Sequence, residues 1–219
     1  MAIKRCRSLL FLLLLGPPGC VALPKEGGVV PKPKEIAKAG PDFPRRIAIL
    51  PMNNMAGDAD GAIILRALVR HKLTNDLGYT IQPFGETDQI IRDRTAVDPE
   101  VPVQVALSKI DPKVLAAWLG VDGILHGELL AFNRAQLSFY TRREVKAHFS
   151  LTDSKDKKLW EGGQDADSGS IGGGPAPIDS YLVGSDIPAD VIDRIKHSPL
   201  ASQTIDLIDD TFSTFPSAQ

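Results

Sequence analysis

Cysteine is almost absent from this chain: there are two in 219 residues, Cys6 and Cys20, both near the start. No internal disulfide can therefore staple the body of the protein. Charge of one sign is lacking too, with a formal net of −2 at neutral pH and no basic stripe, which argues against nucleic acid as a partner. The apolar run near the start is too short to stay in a bilayer as a permanent helix. Catalytic signatures are missing as well: there is no H-E-x-x-H helix, no G-x-S-x-G elbow and no Gly-Lys-Ser/Thr phosphate loop. Those absences exclude metalloprotease, nucleophile-elbow hydrolase and P-loop readings, and no metal or cofactor is expected.

What is present begins at the N-terminus. Lys4, Arg5 and Arg7 precede a run of apolar residues from Leu9 to Leu15, and the segment breaks at Pro18-Gly19-Cys20. That is the pattern of a cleaved export signal over residues 1–19. A cysteine at the break resembles the bacterial lipobox, in which Gly19-Cys20 fits while Pro17 and Pro18 stand where Leu and a small residue are usual. Cleavage before Cys20 and acylation on it would anchor the chain to a membrane, since three acyl chains exceed what stable attachment needs. An ordinary secretory signal and an uncleaved anchor remain the alternatives. In lipoprotein sorting, Val21 rather than Asp after the cysteine implies the outer membrane. Residues 20–44, rich in Pro, Gly and Lys, read as a tether with a reach of roughly 25–30 Å. The rest, 45–219, is long enough for one domain.

That domain opens on Arg45–Met52, an apolar, β-branched run stopped by Pro51, as in a strand buried on both faces. Ile64, Leu65, Leu68, Val69, Leu73 and Leu77 then paint one face of a helix, with Asp60 as its cap and Gly78 as its stop. Tyr79–Phe84 reads as a second strand, which makes a βαβ unit. A short helix is expected over Glu86–Arg94. Asp111-Pro112 starts a stronger helix that Gly120 ends. Val121–Phe132 and Leu137–Leu151 read as strands. In the second, Val145, Ala147, Phe149 and Leu151 alternate with Lys146, His148 and Ser150, so that one side is packed and one wet. The turn Asp153–Lys158 and Leu159–Gly162 complete a hairpin, and helices are expected over Ser185–His197 and Ser198–Phe215. The fold class is therefore α/β: a two-layer mixed sheet with packed helices, a βαβ start, an antiparallel meander and C-terminal helices.

Candidate site residues are few. His126 and Glu128 fall on one strand face and could form an acid/base pair, the basis of an alternative reading as a periplasmic hydrolase. A small-ligand carrier is a further alternative. The glycine-rich segment Ser168–Pro175 opens a loop reaching about Ser185, too poor in motif for a phosphate site. Its apolar residues Ile171, Ile178, Tyr181, Leu182 and Val183, together with Phe212 and Phe215 of the last helix, are expected to form a partner-binding surface. Asp206, Asp209 and Asp210 read as a hydrated helix face.

Three stretches, Ile47–Asn54, Leu119–Gly127, and Leu151–Asp153 with Leu159–Gly162, resemble outer-membrane lipoproteins of Gram-negative bacteria grouped as a domain of unknown function. The fold of that family is similar to the N-terminal domain of TolB, and its members are found beside a CsgG-like lipoprotein. Gly123 and His126 depart from the family pattern, which more often has Ala and a Tyr-like residue there. The resemblance implies a lipid-anchored periplasmic adaptor of an envelope transport or assembly system, with other envelope lipoproteins or a second copy as partners. It supplies no catalytic residues.

Overall fold

Two parallel pairings organise the fold in this computed structural model, which describes residues 37–95, 105, 107, 110–137, 140–170, 178–184 and 187–218. The export signal, Cys20, the first part of the tether and Ile171 lie outside the described residues. Strand β1 (Arg46–Ile49) pairs in parallel with β3 (Thr80–Ile81) on one side and β4 (Gly123–Leu137) on the other. Strands β5 (Tyr140–Asp153) and β6 (Lys158–Ser170) continue antiparallel, for an order β3-β1-β4-β5-β6. The short β2 (Asn53–Asn54) pairs with β4 beyond the end of β1. Ile49 faces Leu125 and Asn53 faces Glu128, so four steps on one chain meet three on β4. The extra residue falls around Pro51, which has no N–H for a ladder.

Helix α1 (Ala59–His71) crosses from β1 to β3. Its cap is Asp58, whose carboxylate accepts from the Gly61 N–H at 2.6 Å. Asp60, expected to cap it, instead pairs with Arg194. Gly78 ends the crossover in the left-handed region, at φ +77°. The expected strand Tyr79–Phe84 shortens to two residues because Pro83 cannot extend the ladder and Phe84 already starts α2 (Phe84–Thr95). Helix α3 (Pro112–Leu119) starts and stops as its sequence predicts: Asp111 accepts from Lys113 N–H at 2.8 Å, and Gly120 sits at φ +62°. Beyond the meander, α4 (Ile178–Tyr181), α5 (Ala189–His197) and α6 (Ala201–Phe212) complete the chain. Ser168–Ser170, expected in the glycine-rich loop, belong to β6.

The sheet has two unlike faces. One is covered by α1, α5 and α6, and buries Ile47, Ile49, Leu125, Val145, Phe149 and Leu151 against Leu65, Leu68, Leu207 and Ile208. Phe212 anchors this layer, with ring centroids 5.3 Å from Phe149, 5.1 Å from Trp160 and 5.4 Å from Phe215. On the other face α2 and α3 cover the parallel strands only, through Ala48, Leu50, Ile124, Ile91, Leu115 and Leu119. The two-layer mixed sheet is thus present, with a small second cover over its parallel edge.

Where β3 stops, the Ile49 carbonyl would be left bare, and Arg66 of α1 fills the gap. Its Nε and Nη2 donate to that carbonyl at 3.2 and 2.7 Å, and Nη1 and Nη2 donate to the Asp88 carboxylate of α2 at 2.8 Å each. One guanidinium therefore satisfies a strand end and ties together helices on opposite faces. At the start of the described chain, residues assigned by composition to the tether already pack. Ala39 N–H donates to Ser217 O at 2.7 Å, Ser217 N–H donates to Ala37 O at 2.8 Å, and the Phe43 ring stands 5.6 Å from Phe215.

Candidate functional site

The chain leaves β1 toward α1 on one face of the sheet and enters β4 from α3 on the other. Beyond the carboxyl end of β1, alongside the first half of β4, the covering helices diverge, and an α/β fold opens a crevice at such a point. Here it is a cavity of about 470 Å³ lined by Leu50, Pro51, Asn53, Leu107, Ile110, Pro112, Leu115, His126, Gly127 and Glu128. That volume lies within the range of roughly 300–1,000 Å³ usual for ligand pockets. Most of its wall is apolar.

Three polar side chains converge in it. Glu128 follows His126 by two on β4, so both face the cavity while Leu125 and Leu129 face the main core. Asn53 of β2 is the register partner of Glu128, and its Nδ2 donates to Glu128 Oε1 at 3.1 Å. Glu128 Oε2 has no partner among the described residues. Burial pushes the His126 imidazole below its ordinary value, partly offset by the Asp156 carboxylate, so near neutral pH the ring carries one donor and one acceptor nitrogen. His126 and Glu128 share a face as expected, but the Glu128 hydrogen bond goes to Asn53 rather than to the imidazole. No Ser, Thr or Cys stands among the described lining residues. Gly127 lies between them, and a Cβ there would press on the Met52 thioether and the Phe149 ring of the main core.

The open face continues across the hairpin. His148 lies opposite Glu128 in register, and its Nε2 is 3.0 Å from Glu161 Oε1. Lys158 and His148 hold the Glu161 carboxyl below the usual carboxylate range. Just beyond the Asn53–Glu128 pair, Met55 N–H donates to Leu129 O at 2.9 Å, so Met55 and Leu130 each follow cavity-lining residues along their own chain segments. These two are among the few large apolar side chains left in solvent, 68% and 47% exposed.

Most of the described residues expected to form a partner surface are not at the surface. Phe212 and Phe215 are fully buried, at 0% exposure, and Leu182 is buried as well. Ile178 and Tyr181 pack on the main core, because α4 lies back on the fold instead of standing off as a loop. Among the described members of that set, Val183 alone is strongly exposed, at 78%. Asp206 remains exposed as expected, whereas Asp209 accepts from Lys72 Nζ at 2.7 Å. Sequence reading missed Asn53, Met55, Leu107 and Leu115. They sit in segments far apart along the chain, and only the parallel register of β2 on β4 would have joined Asn53 to Glu128.

No protein-family model matches the chain, and no curated protein matches it. Among solved structures, the lipoprotein GNA1162 from Neisseria meningitidis superposes with a TM-score of 0.52 at 20% identity, over 71% of this chain and 100% of that one. PelC, a dodecamer from Paraburkholderia phytofirmans, gives 0.48 at 14% identity over 83% and 96% of the two chains. The C-terminal domain of LpoB from Escherichia coli gives 0.40 at 12% identity over 58% and 86%. At these identities the first of these likenesses establishes a shared fold, and this chain therefore has the fold of the lipoprotein GNA1162.

Proposed function

We propose that this protein is a lipid-anchored adaptor of the Gram-negative envelope, held on the periplasmic side of the outer membrane through acylated Cys20 and acting by binding other proteins. The observation that carries the binding half is the surface beyond the carboxyl end of β1, where β2 runs beside the first half of β4. There a cavity of about 470 Å³ is lined by Asn53 and Glu128, and Met55 and Leu130, two residues further along each segment, stand in solvent. Exposed apolar side chains rimmed by polar ones mark interaction surfaces. The anchoring half is supported by the signal ending in Gly19-Cys20 and by a fold shared with a protein named as a lipoprotein. The TolB N-terminal-domain-like fold and the CsgG-like neighbour implied by the sequence resemblance, and a role in a transport or assembly system, belong to the same proposal.

Cys20→Ser tests the anchor: membrane fractionation should show a soluble periplasmic protein or an uncleaved precursor, and retention of a correctly cleaved, membrane-bound form defeats it. A photo-crosslinking residue at Leu130 tests the surface. It should yield discrete envelope adducts that the same residue at Lys113 does not, and equal labelling from both positions defeats the binding reading. A hydrolase using His126 and Glu128 is the second reading, favoured by the neutral imidazole in a cavity. Loss of function in His126→Ala with Glu128→Ala, with crosslinking at Leu130 unchanged, would promote it.

A further inference from the structure

The polar contents of the cavity say what kind of group completes it. An anion is poorly served. The nearest helix start, that of α3, offers no N–H at Pro112, and the Lys113 N–H is already taken by the Asp111 carboxylate at 2.8 Å. The charged atom left without a partner among the described residues is Glu128 Oε2, since Asn53 Nδ2 holds Oε1 at 3.1 Å. That asymmetry also separates the two basic side chains. A guanidinium binds best as a planar fork on both oxygens of a carboxylate, whereas an ammonium is a point charge that needs one oxygen and tolerates any direction. The imidazole of His126 adds an acceptor nitrogen beside it, and Leu50, Leu107, Ile110 and Leu115 supply the apolar wall along which a four-carbon stem lies.

We propose that this cavity receives a lysine side chain presented, next to an apolar residue, by an extended segment of a partner protein, with the ammonium on Glu128 Oε2 and the apolar neighbour against Met55 and Leu130. This rests on the protein-binding reading and names the partner's chemistry at that same surface. The free acceptor and the apolar wall must be used together. A wholly apolar segment would bury Oε2 without a donor, which disfavours it.

The test titrates the ¹⁵N-labelled full chain, in detergent, with three blocked dipeptides: acetyl-Leu-Lys-amide, acetyl-Leu-norleucine-amide and acetyl-Leu-Arg-amide. The Lys peptide should shift the amide resonances of Gly127 and Glu128 with a dissociation constant on the order of millimolar. Norleucine, which keeps the stem and lacks the ammonium, should bind about tenfold more weakly, the worth of one charge-assisted hydrogen bond. Arg should fall between them. Glu128→Gln, with its remaining amide spectrum unchanged, should bind all three alike. Equal binding of Lys and norleucine peptides to the wild-type chain overturns the proposal, as does Arg binding as well as Lys, a preference that survives Glu128→Gln, or no shift at Gly127 and Glu128. Discrete crosslinks at Leu130 without a peptide preference would remove the lysine assignment and leave the binding surface standing. A peptide preference without crosslinks would remove the adaptor reading instead.

Discussion

The two faces of strand β5 are built from the same fourteen-residue segment and behave as different materials. Toward α6, Val145, Ala147, Phe149 and Leu151 are buried within a shell of aromatic rings. Toward solvent, Lys146 bridges Glu144 and Asp165, and His148 meets Glu161. Aromatic residues make up only 6% of the chain, yet Phe43, Tyr79, Phe149, Trp160, Phe212 and Phe215 are joined ring to ring on the covered face. Stability is thus concentrated on one side, which leaves the other free to carry charge, histidines and a cavity. Substitutions on the covered face should unfold the protein, and those on the open face should alter what it binds.

The sharpest way to break that contrast is Phe212→Ala, which removes the ring at the centre of the aromatic cluster. A loss of about 3–5 kcal/mol in urea unfolding is expected, and a loss under 1 kcal/mol would show that the covered face is not the stabilising one. Next comes Asp88→Asn. It leaves the Arg66 guanidinium, whose side chain is only 10% exposed, without its carboxylate, and should lower stability by about 2–3 kcal/mol. Because Arg66 joins both covers, α2 should loosen first, visible as faster amide exchange over residues 84–95 than over α1.

On the open face the effects are smaller and depend on pH. Burial lowers the His126 pKa from its ordinary 6.5, so below that value the unfolded chain binds a proton that the folded chain resists. Its contribution is complete above about pH 6.5 and is lost as pH falls toward the depressed folded value. Replacing it, as in His126→Gln, should flatten the decline of Tm between pH 7.5 and 5.5, and parallel curves would refute the assignment. The smallest change is expected on the other side, at the solvent side of the covering helix α6, from Asp206→Asn. Burial, then Asp209 and Asp210, raise the Asp206 carboxyl above its usual range, so removing its charge should stabilise by about 0.2–0.5 kcal/mol at pH 7 and by nothing at pH 3.

Much of this fold was legible. The alternation Val145, Ala147, Phe149, Leu151 needs only a pleated strand with one packed side, and Asp111-Pro112 with Gly120 marks both ends of α3. Boundaries went astray at the start of α1, where Asp60 is drawn off by the distant Arg194 and Asp58 caps instead, and at Pro83, which has no N–H to carry the ladder on. The partner surface went astray for a different reason. Helical spacing of Leu207, Ile208, Thr211 and Phe212 states that a face is buried, but not what buries it. The sheet of the same chain, far back in sequence, proved sufficient. His126 and Glu128 were placed on one face by a period of two. The Glu128 partner Asn53 came from a polar stretch with no period at all, brought over by the bulge around Pro51.

The bridge between residues 37–39 and Ser217 determines how force enters the molecule. A chain pulled from its N-terminal side does not load β1 directly. Tension arrives first at the Ala39 and Ser217 hydrogen bonds, 2.7 and 2.8 Å long, which lie beside the bond from Ala218 N–H to Leu77 O at 2.9 Å. Phe43, wedged against Tyr79 and Phe215, takes the next share before any strand of the sheet feels the load. Residues 216–218 therefore serve as a strain relief for residues 37–43, and a pull on the N-terminal segment should reach the interior strands that line the cavity only after these contacts give way.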